Sequence, residues 1–436
     1  MFPSGSSLAF PASLSSILGH AHRDHSEKEV TPVRRKLECC AKFGHSTPMD
    51  VTLVTLDRPA GQTSPKKPTR LQQLLRINRV SPVLSDLFMA SLPPVQQVWL
   101  QKRRGDHTKS IELNTQAPIP ALEPGHVLVR VRAVALNPLG VKTMSTIPSF
   151  ARKFPTMLEN DLCGEILNPN DSEFQIGDEV FGMSTFEDCL KKGRGALGQY
   201  ILVKTENLAH KPKNITADEA AGITLAGLTA YQGLVDQCKI TAGQRLFING
   251  GNSTVGRFAI QIAKNLGAYV VTSCSGENAL KVKSFGADEI IDYKRVDLPS
   301  YLVKNYTSNP FDAIYDVVGN ILNFFPRSAP VLNPKGLFLT ISIDLPKGLG
   351  SKMRFLFLLF NVAVRPTWLG GVNRKWKFVT TKSNKTQLNT LAKLASEEKL
   401  RVDVDSTYGF DQAGLFAAFD RMKTNKACGK IVVHVP

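Results

Sequence analysis

Along His126–Ala135, Val127, Val129, Val131 and Ala133 interleave with Leu128, Arg130, Arg132 and Val134, a period of two that predicts a half-buried strand. Leu246–Ile248 is instead an uninterrupted apolar run, which predicts a strand covered on both faces of a sheet. Past a glycine-bearing turn, Val255, Ala259, Ile262, Ala263 and Leu266 recur at helical spacing. Tyr269–Thr272 then reads as a second strand, so the segment runs strand, turn, helix, strand. Ile176–Val180 reads as a tight turn into a strand. Thr216 and Glu219 form a capping box that opens a helix through Ala220–Leu234. Asp312–Val318 and Gly336–Ile341 add strand signals on either side of an Asn-Pro-Lys-Gly turn.

The most apolar stretch is Met353–Gly371. Its uninterrupted core, Phe355–Phe360 and then Val362–Val364, is about ten residues and too short to span a bilayer. Three readings stay open. It is a buried helix or one packed on a partner subunit, a lid over an apolar cleft, or an interfacial segment. In the last case Lys352, Arg354, Arg365 and Trp368 would flank a contact, across 353–371, with a membrane or lipid droplet surface.

The turn between the first strand and its helix carries the candidate chemistry. Gly250 and Gly251 permit a tight turn, and Gly256 lets the helix pack close to the strand. Ser253 stands where a dinucleotide fingerprint has its middle glycine. The N–H groups at the helix start, around Thr254 and Val255, suit a pyrophosphate. NAD sites place an acid at the end of the second strand, but here Ser273 and Ser275 occupy that end, with no acid before Glu277. Lys281 and Lys283 follow shortly. Hydroxyls and cations suit a 2′-phosphate, so NADPH is the expected cofactor.

The chain has 436 residues, enough for two packed domains and an extension. Residues 1–88 are rich in Ser, Pro and basic residues with little apolar periodicity, and a disordered basic extension is the default expectation. The net charge of +17 is spread over the chain without basic runs interleaved with aromatics, which argues against nucleic acid as a partner. The seven cysteines are scattered apart from Cys39-Cys40 and fit a reducing compartment. A cytoplasmic location is expected, with mitochondrial or lipid-droplet association as alternatives.

In order, the pieces HVLVRVRAVALNP (from His126), DLCGEI (Asp161), IGDEVFG (Ile176), AAGITLAGLTAYQGL (Ala220), the glycine turn, SFGADEIIDY (Ser284), FDAIYDVVGN (Phe311), LNPKGLFLTI (Leu332) and GKIVV (Gly429) resemble the medium-chain dehydrogenase/reductase superfamily. The resemblance starts near Met89 and points to its zinc-independent quinone oxidoreductase and enoyl reductase branch. It implies an α/β fold, with a doubly wound parallel Rossmann sheet inserted in a mostly antiparallel, barrel-like (GroES-like) catalytic domain. The expected limits are 89–228 plus 366–436 for the catalytic domain and 229–365 for the nucleotide domain, in a homodimer.

Zinc-dependent relatives need a Cys, a His-Glu pair and a later Cys or acid. Here Asn137-Pro138-Leu139-Gly140 and Glu159-Asn160-Asp161 stand at the first two of these places, so no metal is expected. The resemblance places Asn137 near the nicotinamide and substrate, as the candidate catalytic residue. It places Thr229 by the nicotinamide ribose, Gly319 and Leu339 along the cofactor path, and Tyr293 at the adenosine 2′-phosphate. One departure stands out: the family commonly has Asn-Pro-x-Asp, and Gly140 replaces that Asp. Tyr231, Lys142 and solvent are open as proton donors. The expected reaction is hydride transfer from NADPH to a quinone or α,β-unsaturated carbonyl compound. The rivals are a zinc-type alcohol dehydrogenase and a catalytically weak nucleotide-binding member with a membrane or lipid-droplet role.

Overall fold

A computed structural model describes residues 92–436 apart from 343–348, 364 and 370. The expected extension at residues 1–88 lies outside the described residues. Two sheets organise the chain. Six strands, Glu289–Asp292, Tyr269–Cys274, Arg245–Asn249, Phe311–Asp316, Leu332–Thr340 and Lys375–Phe378, lie side by side in that order and are all parallel. In chain order this is a 3-2-1-4-5-6 sheet, the doubly wound Rossmann arrangement, and its direction of winding reverses between Arg245–Asn249 and Phe311–Asp316. Helices cover it on both faces, so Leu246, Phe247 and Ile248 are fully buried, as their apolar run requires. The sheet takes its sixth strand from Lys375–Phe378, beyond the expected limit at 365. A parallel strand needs a crossover connection, and the apolar helix Leu349–Ala363 lies on that connection.

The second sheet has seven strands. Val404–Tyr408, Lys430–His434, His126–Ala135, Asp161–Asn168, Glu179–Met183 and Leu208–His210 follow one another, and Tyr200–Lys204 pairs with the first half of His126–Ala135. Every pair is antiparallel except Val404–Tyr408 with Lys430–His434. The strand His126–Ala135 differs from its expectation of half burial: Leu128 and Val134 are as buried as Val127 and Val129. Leu128 packs against Leu167 and Leu202 on one side, while Val127, Val129 and Val131 enter the main core of this lobe on the other. Only His126, Arg130 and Arg132 keep contact with solvent.

Helix Ala217–Tyr231 joins the two lobes and opens with the expected capping box: Thr216 Oγ1 accepts the Glu219 N–H, and Glu219 accepts the Thr216 N–H. Helix Leu349–Ala363 is packed on one side only. Leu359 packs against the nucleotide-lobe core and Phe355, one turn earlier, is buried, whereas Met353, Leu356, Phe357, Leu358 and Phe360 are exposed. Its described exposed side chains are apolar, so it is a surface helix in place of a buried one. Among the described residues no helix is long and apolar enough to cross a membrane.

Candidate active site

The glycine turn stands at the carboxyl ends of the parallel strands, beside the point where the winding reverses, which is where open α/β sheets bind ligands. Gly250 has φ +94°, a left-handed conformation that a side chain disfavours. Its N–H donates to Ser273 Oγ at 3.0 Å, and the Gly251 N–H donates to the Ser273 carbonyl at 2.8 Å. A Cβ at Gly251 would overlap Thr272 Oγ1, and one at Gly256 would overlap the Gly250 carbonyl. Ser253 is the N-cap of helix Thr254–Asn265: its hydroxyl accepts the Gly256 N–H at 3.0 Å and donates to the Gly250 carbonyl at 2.9 Å. The side chain folds into the turn and away from the ligand side, so the serine leaves the phosphate cradle open. The N–H groups of Thr254 and Val255 have no acceptor within their own helix and form the electropositive start of the site.

The adenosine end differs from its expectation. Ser273 is buried and donates to Asn249 Oδ1 at 2.8 Å while accepting from Gly250, so its hydroxyl holds the turn. Ser275 accepts from Asn278 Nδ2 at 2.8 Å. Lys281 points to the C-terminal segment, 3.2 Å from Asp403 and 3.2 Å from the Cys428 carbonyl, where buried Arg257 also pairs with Asp403 at 2.7 Å. Tyr293 is exposed. The acid missing after the second strand arrives from the next one: a Cβ at Gly276 would stand 2.6 Å from Asp292 Oδ2. Glu277 pairs with Lys294, and Asp292 lies 3.4 Å from Arg295, so each acid here has a cation beside it.

At the other end, Asn137 ends the strand His126–Ala135 and precedes helix Pro138–Thr146. Its side-chain amide is fully engaged. Nδ2 donates to the Ala135 carbonyl at 3.3 Å and to Asp161 Oδ2 at 3.1 Å, and Oδ1 accepts from Lys430 Nζ at 2.8 Å. Lys430 is 3.1 Å from Asp161, and both side chains are buried. Asp161 Oδ1 also accepts the Leu225 N–H at 3.0 Å, tying this network to the inter-lobe helix. Asn137 is thus held by the protein on every donor, which makes it a positioning residue and not a group with a free hydrogen for substrate.

Beside it lies Glu159, which the sequence reading did not select. Its backbone is left-handed, φ 60°. Oε2 accepts the Asn137 N–H at 3.0 Å, and a Cβ at residue 140 would overlap Oε1. Gly140 and Glu159 are therefore one feature: the carboxyl group reaches the place from position 159, and only glycine at 140 leaves it room. Burial pushes the Glu159 carboxyl up to about 8, with the nearby Asp161 adding to this and the Asn137 N–H and Lys430 opposing it.

Thr229 donates to the Leu225 carbonyl and shares a 2.6 Å hydrogen bond with Thr381, while its carbonyl accepts from buried Tyr315 at 2.9 Å. Gly319, φ +94°, passes 2.7 Å (as a built Cβ) from the Ser342 carbonyl, and Lys142 Nζ reaches Ser342 Oγ at 3.2 Å from the opposite lobe. The turn before Gly319 is gathered by Asp316, whose Oδ1 accepts the Val318 and Gly319 N–H groups and Asn249 Nδ2. Leu339 is fully buried in the core, and Ile341 and Ser342, just past the end of its strand, are half-buried.

Both Asp161 oxygens are engaged, Oδ1 by the Leu225 N–H and Oδ2 by Asn137 and Lys430, and burial pushes the Cys189 thiol up to about 12. Among the described residues no three His, Cys, Asp or Glu side chains gather where they could share an ion.

Two lobes, one built on a doubly wound Rossmann sheet with a glycine turn at the carboxyl ends of its strands, are the architecture of a dinucleotide-dependent oxidoreductase. Residues 123–213 match the alcohol dehydrogenase GroES-like domain family, and residues 285–433 match the zinc-binding dehydrogenase family. The chain is 33% identical over 336 residues to the trans-enoyl reductase pgmF of Aspergillus terreus, covering 75% of this chain and 92% of that one. It is 30% identical over 418 residues to the mitochondrial NAD(P)H oxidoreductase RTN4IP1 of Drosophila melanogaster, covering 84% and 96%. The solved quinone oxidoreductase of Coxiella burnetii superposes with a TM-score of 0.65 at 26% identity, over 78% of this chain and all of that one. The chain belongs to the medium-chain dehydrogenase/reductase superfamily, whose members bind nicotinamide cofactors, and it is an oxidoreductase.

Proposed function

We propose that this protein is an NADPH-dependent, zinc-independent reductase of quinones or α,β-unsaturated carbonyl compounds. The observation that carries the reading is the cleft floor. Where a zinc-dependent relative would need Cys, His and Glu, this chain holds Asn137, Glu159, Asn160 and Asp161, with Lys430 joining Asn137 to Asp161 and Glu159 accepting the Asn137 N–H. A bound nicotinamide supplies hydride, which activated double bonds and quinones accept without a Lewis acid. The chain's own residues bind and orient: Gly250, Gly251, Ser253 and Gly256 shape the phosphate turn, and the Lys430–Asp161–Asn137 network holds the floor rigid. The similarity to the A. terreus trans-enoyl reductase and the C. burnetii quinone oxidoreductase agrees with this substrate class.

NADPH preference rests on the strand Tyr269–Cys274 ending without a carboxylate and on Lys294 and Arg295 matching the nearby Glu277 and Asp292. A homodimer is supported by Lys375–Phe378, which ends the six-strand order among the described residues, and by the exposed apolar side chains of Leu349–Ala363. Fluorescence titration with NADPH and NADH, repeated on Ser275→Asp, tests the cofactor: tighter NADPH binding, lost in the variant, is expected. Turnover assays with enones, quinones and simple ketones, with metal analysis of the same preparation, test the reaction. Stoichiometric zinc and activity confined to alcohols or ketones would overturn the reading. NADPH binding with no acceptor reduced would favour the catalytically weak rival.

A further inference from the structure

We propose that Glu159 is the proton donor of the cleft, a role that rests on the reductase reading above. Its Oε1 is buried without a hydrogen-bond partner, and it borders a cavity of about 10 Å³, the room of one water molecule. Leu139, Gly140, Thr143, Arg152 and Phe186 share that cavity's wall, and Leu139 and Phe186 reach solvent. The fold gives up two things to hold the carboxyl there: the side chain at residue 140, and a relaxed backbone at residue 159. A buried, half-satisfied carboxyl costs stability wherever it has no task.

The charged and titratable groups facing it come from three neighbouring elements besides its own surroundings. Lys430, from the C-terminal strand, favours the anion; Asp161 opposes it; Arg152 is committed to the Thr143 carbonyl at 3.0 Å; Cys189 donates its thiol to the Glu159 carbonyl at 3.5 Å. Burial outweighs the rest, so the carboxyl is protonated at neutral pH. Arrival of hydride at the substrate β-carbon forms a C–H bond, the C=C π pair becomes the double bond between the α-carbon and the carbonyl carbon, and the C=O π pair moves onto oxygen as an enolate. The Glu159 O–H bond then breaks. Its proton passes to the α-carbon, or to the oxygen of a reduced quinone, directly or through one water in the cavity. The bonding pair stays on the carboxylate, which takes a new proton from solvent, and the substrate is reduced by two electrons overall.

Glu159→Gln keeps the shape and the acceptor for the Asn137 N–H but removes the proton. With NADPH and a trans-2-enal, kcat should fall about 100-fold or more, with KM little changed. The wild-type kcat should decline as pH rises through about 8, where the donor ionises, and the variant should lose that limb. A readout independent of turnover is the infrared carbonyl stretch of a protonated carboxylic acid. It should be present in the nucleotide-free protein at pH 7, titrate near pH 8, and be missing in Glu159→Gln. NADPH titration and thermal unfolding check that the variant is folded; if it is not, the wild-type band and its titration decide. Wild-type turnover with an unimpaired, folded Glu159→Gln, or no such band at pH 7, overturns the proposal alone. A wild-type protein that reduces no enone or quinone overturns the reductase reading, and this proposal with it.

Discussion

The nucleotide corner and the cleft floor both depend on glycine, for opposite reasons. At the corner, Gly250, Gly251 and Gly256 are needed because the chain turns back on itself, and the atoms they avoid belong to the turn and the adjoining strand. At the floor, Gly140 is needed because Glu159 has been brought there by a different strand, and Asn137 is oriented by Lys430, 293 positions along the chain. A local constraint recurs wherever the same turn is made and is readable as a motif. A long-range constraint exists only between partners that folding brings together. The corner is accordingly ordinary for its family, while the floor carries this chain's departure.

The largest expected effect is at the floor. Asp161→Ala removes the partner of a buried Lys430 and the acceptor of the Leu225 N–H, and should cost about 3–5 kcal/mol in denaturant unfolding. A loss below about 1 kcal/mol would show that the network is not a tie between the lobes. Next comes the exchange itself. Gly140→Asp alone should cost about 1–3 kcal/mol through overpacking against Glu159. In a Glu159→Gly background, which also relaxes the left-handed backbone, the same substitution should cost little, a coupling within the range of about 0.5–3 kcal/mol. Additive costs in the four-member cycle would separate the two positions. The smallest effect belongs to the corner: Ser253→Ala should lower stability by about 1 kcal/mol by removing the cap of helix Thr254–Asn265. Unchanged unfolding would mean that the cap is redundant with the turn.

Several elements were legible in advance because their causes are local. The capping box at Thr216 and Glu219, the strand Arg245–Asn249 and the apolar stripe of its helix each follow from residues within a few positions of one another. Burial on the second face of His126–Ala135 was not legible, because it comes from Leu167 and Leu202 on neighbouring strands. Nor was the surface position of Leu349–Ala363: most of its residues are apolar, and only packing buries Phe355 and sets Leu359 against the core. Lys281 looked like a phosphate ligand by spacing but is drawn to Asp403, which the sequence places far downstream.

The amino-acid sequence by itself determined the order of strands and helices, the glycine turn with its helix start, and the replacement of zinc ligands by Asn137 and Glu159-Asn160-Asp161. These are matters of residue type and short spacing, where backbone sterics and hydrogen-bonding capacity act within a turn or two. The tertiary structure alone decided that Asn137 is engaged by Asp161 and Lys430, and that Glu159 fills the space Gly140 leaves. Each of these depends on distances between segments remote in the chain. Burial, ion pairing and steric exclusion act through those distances, and they come into being only when the two lobes pack.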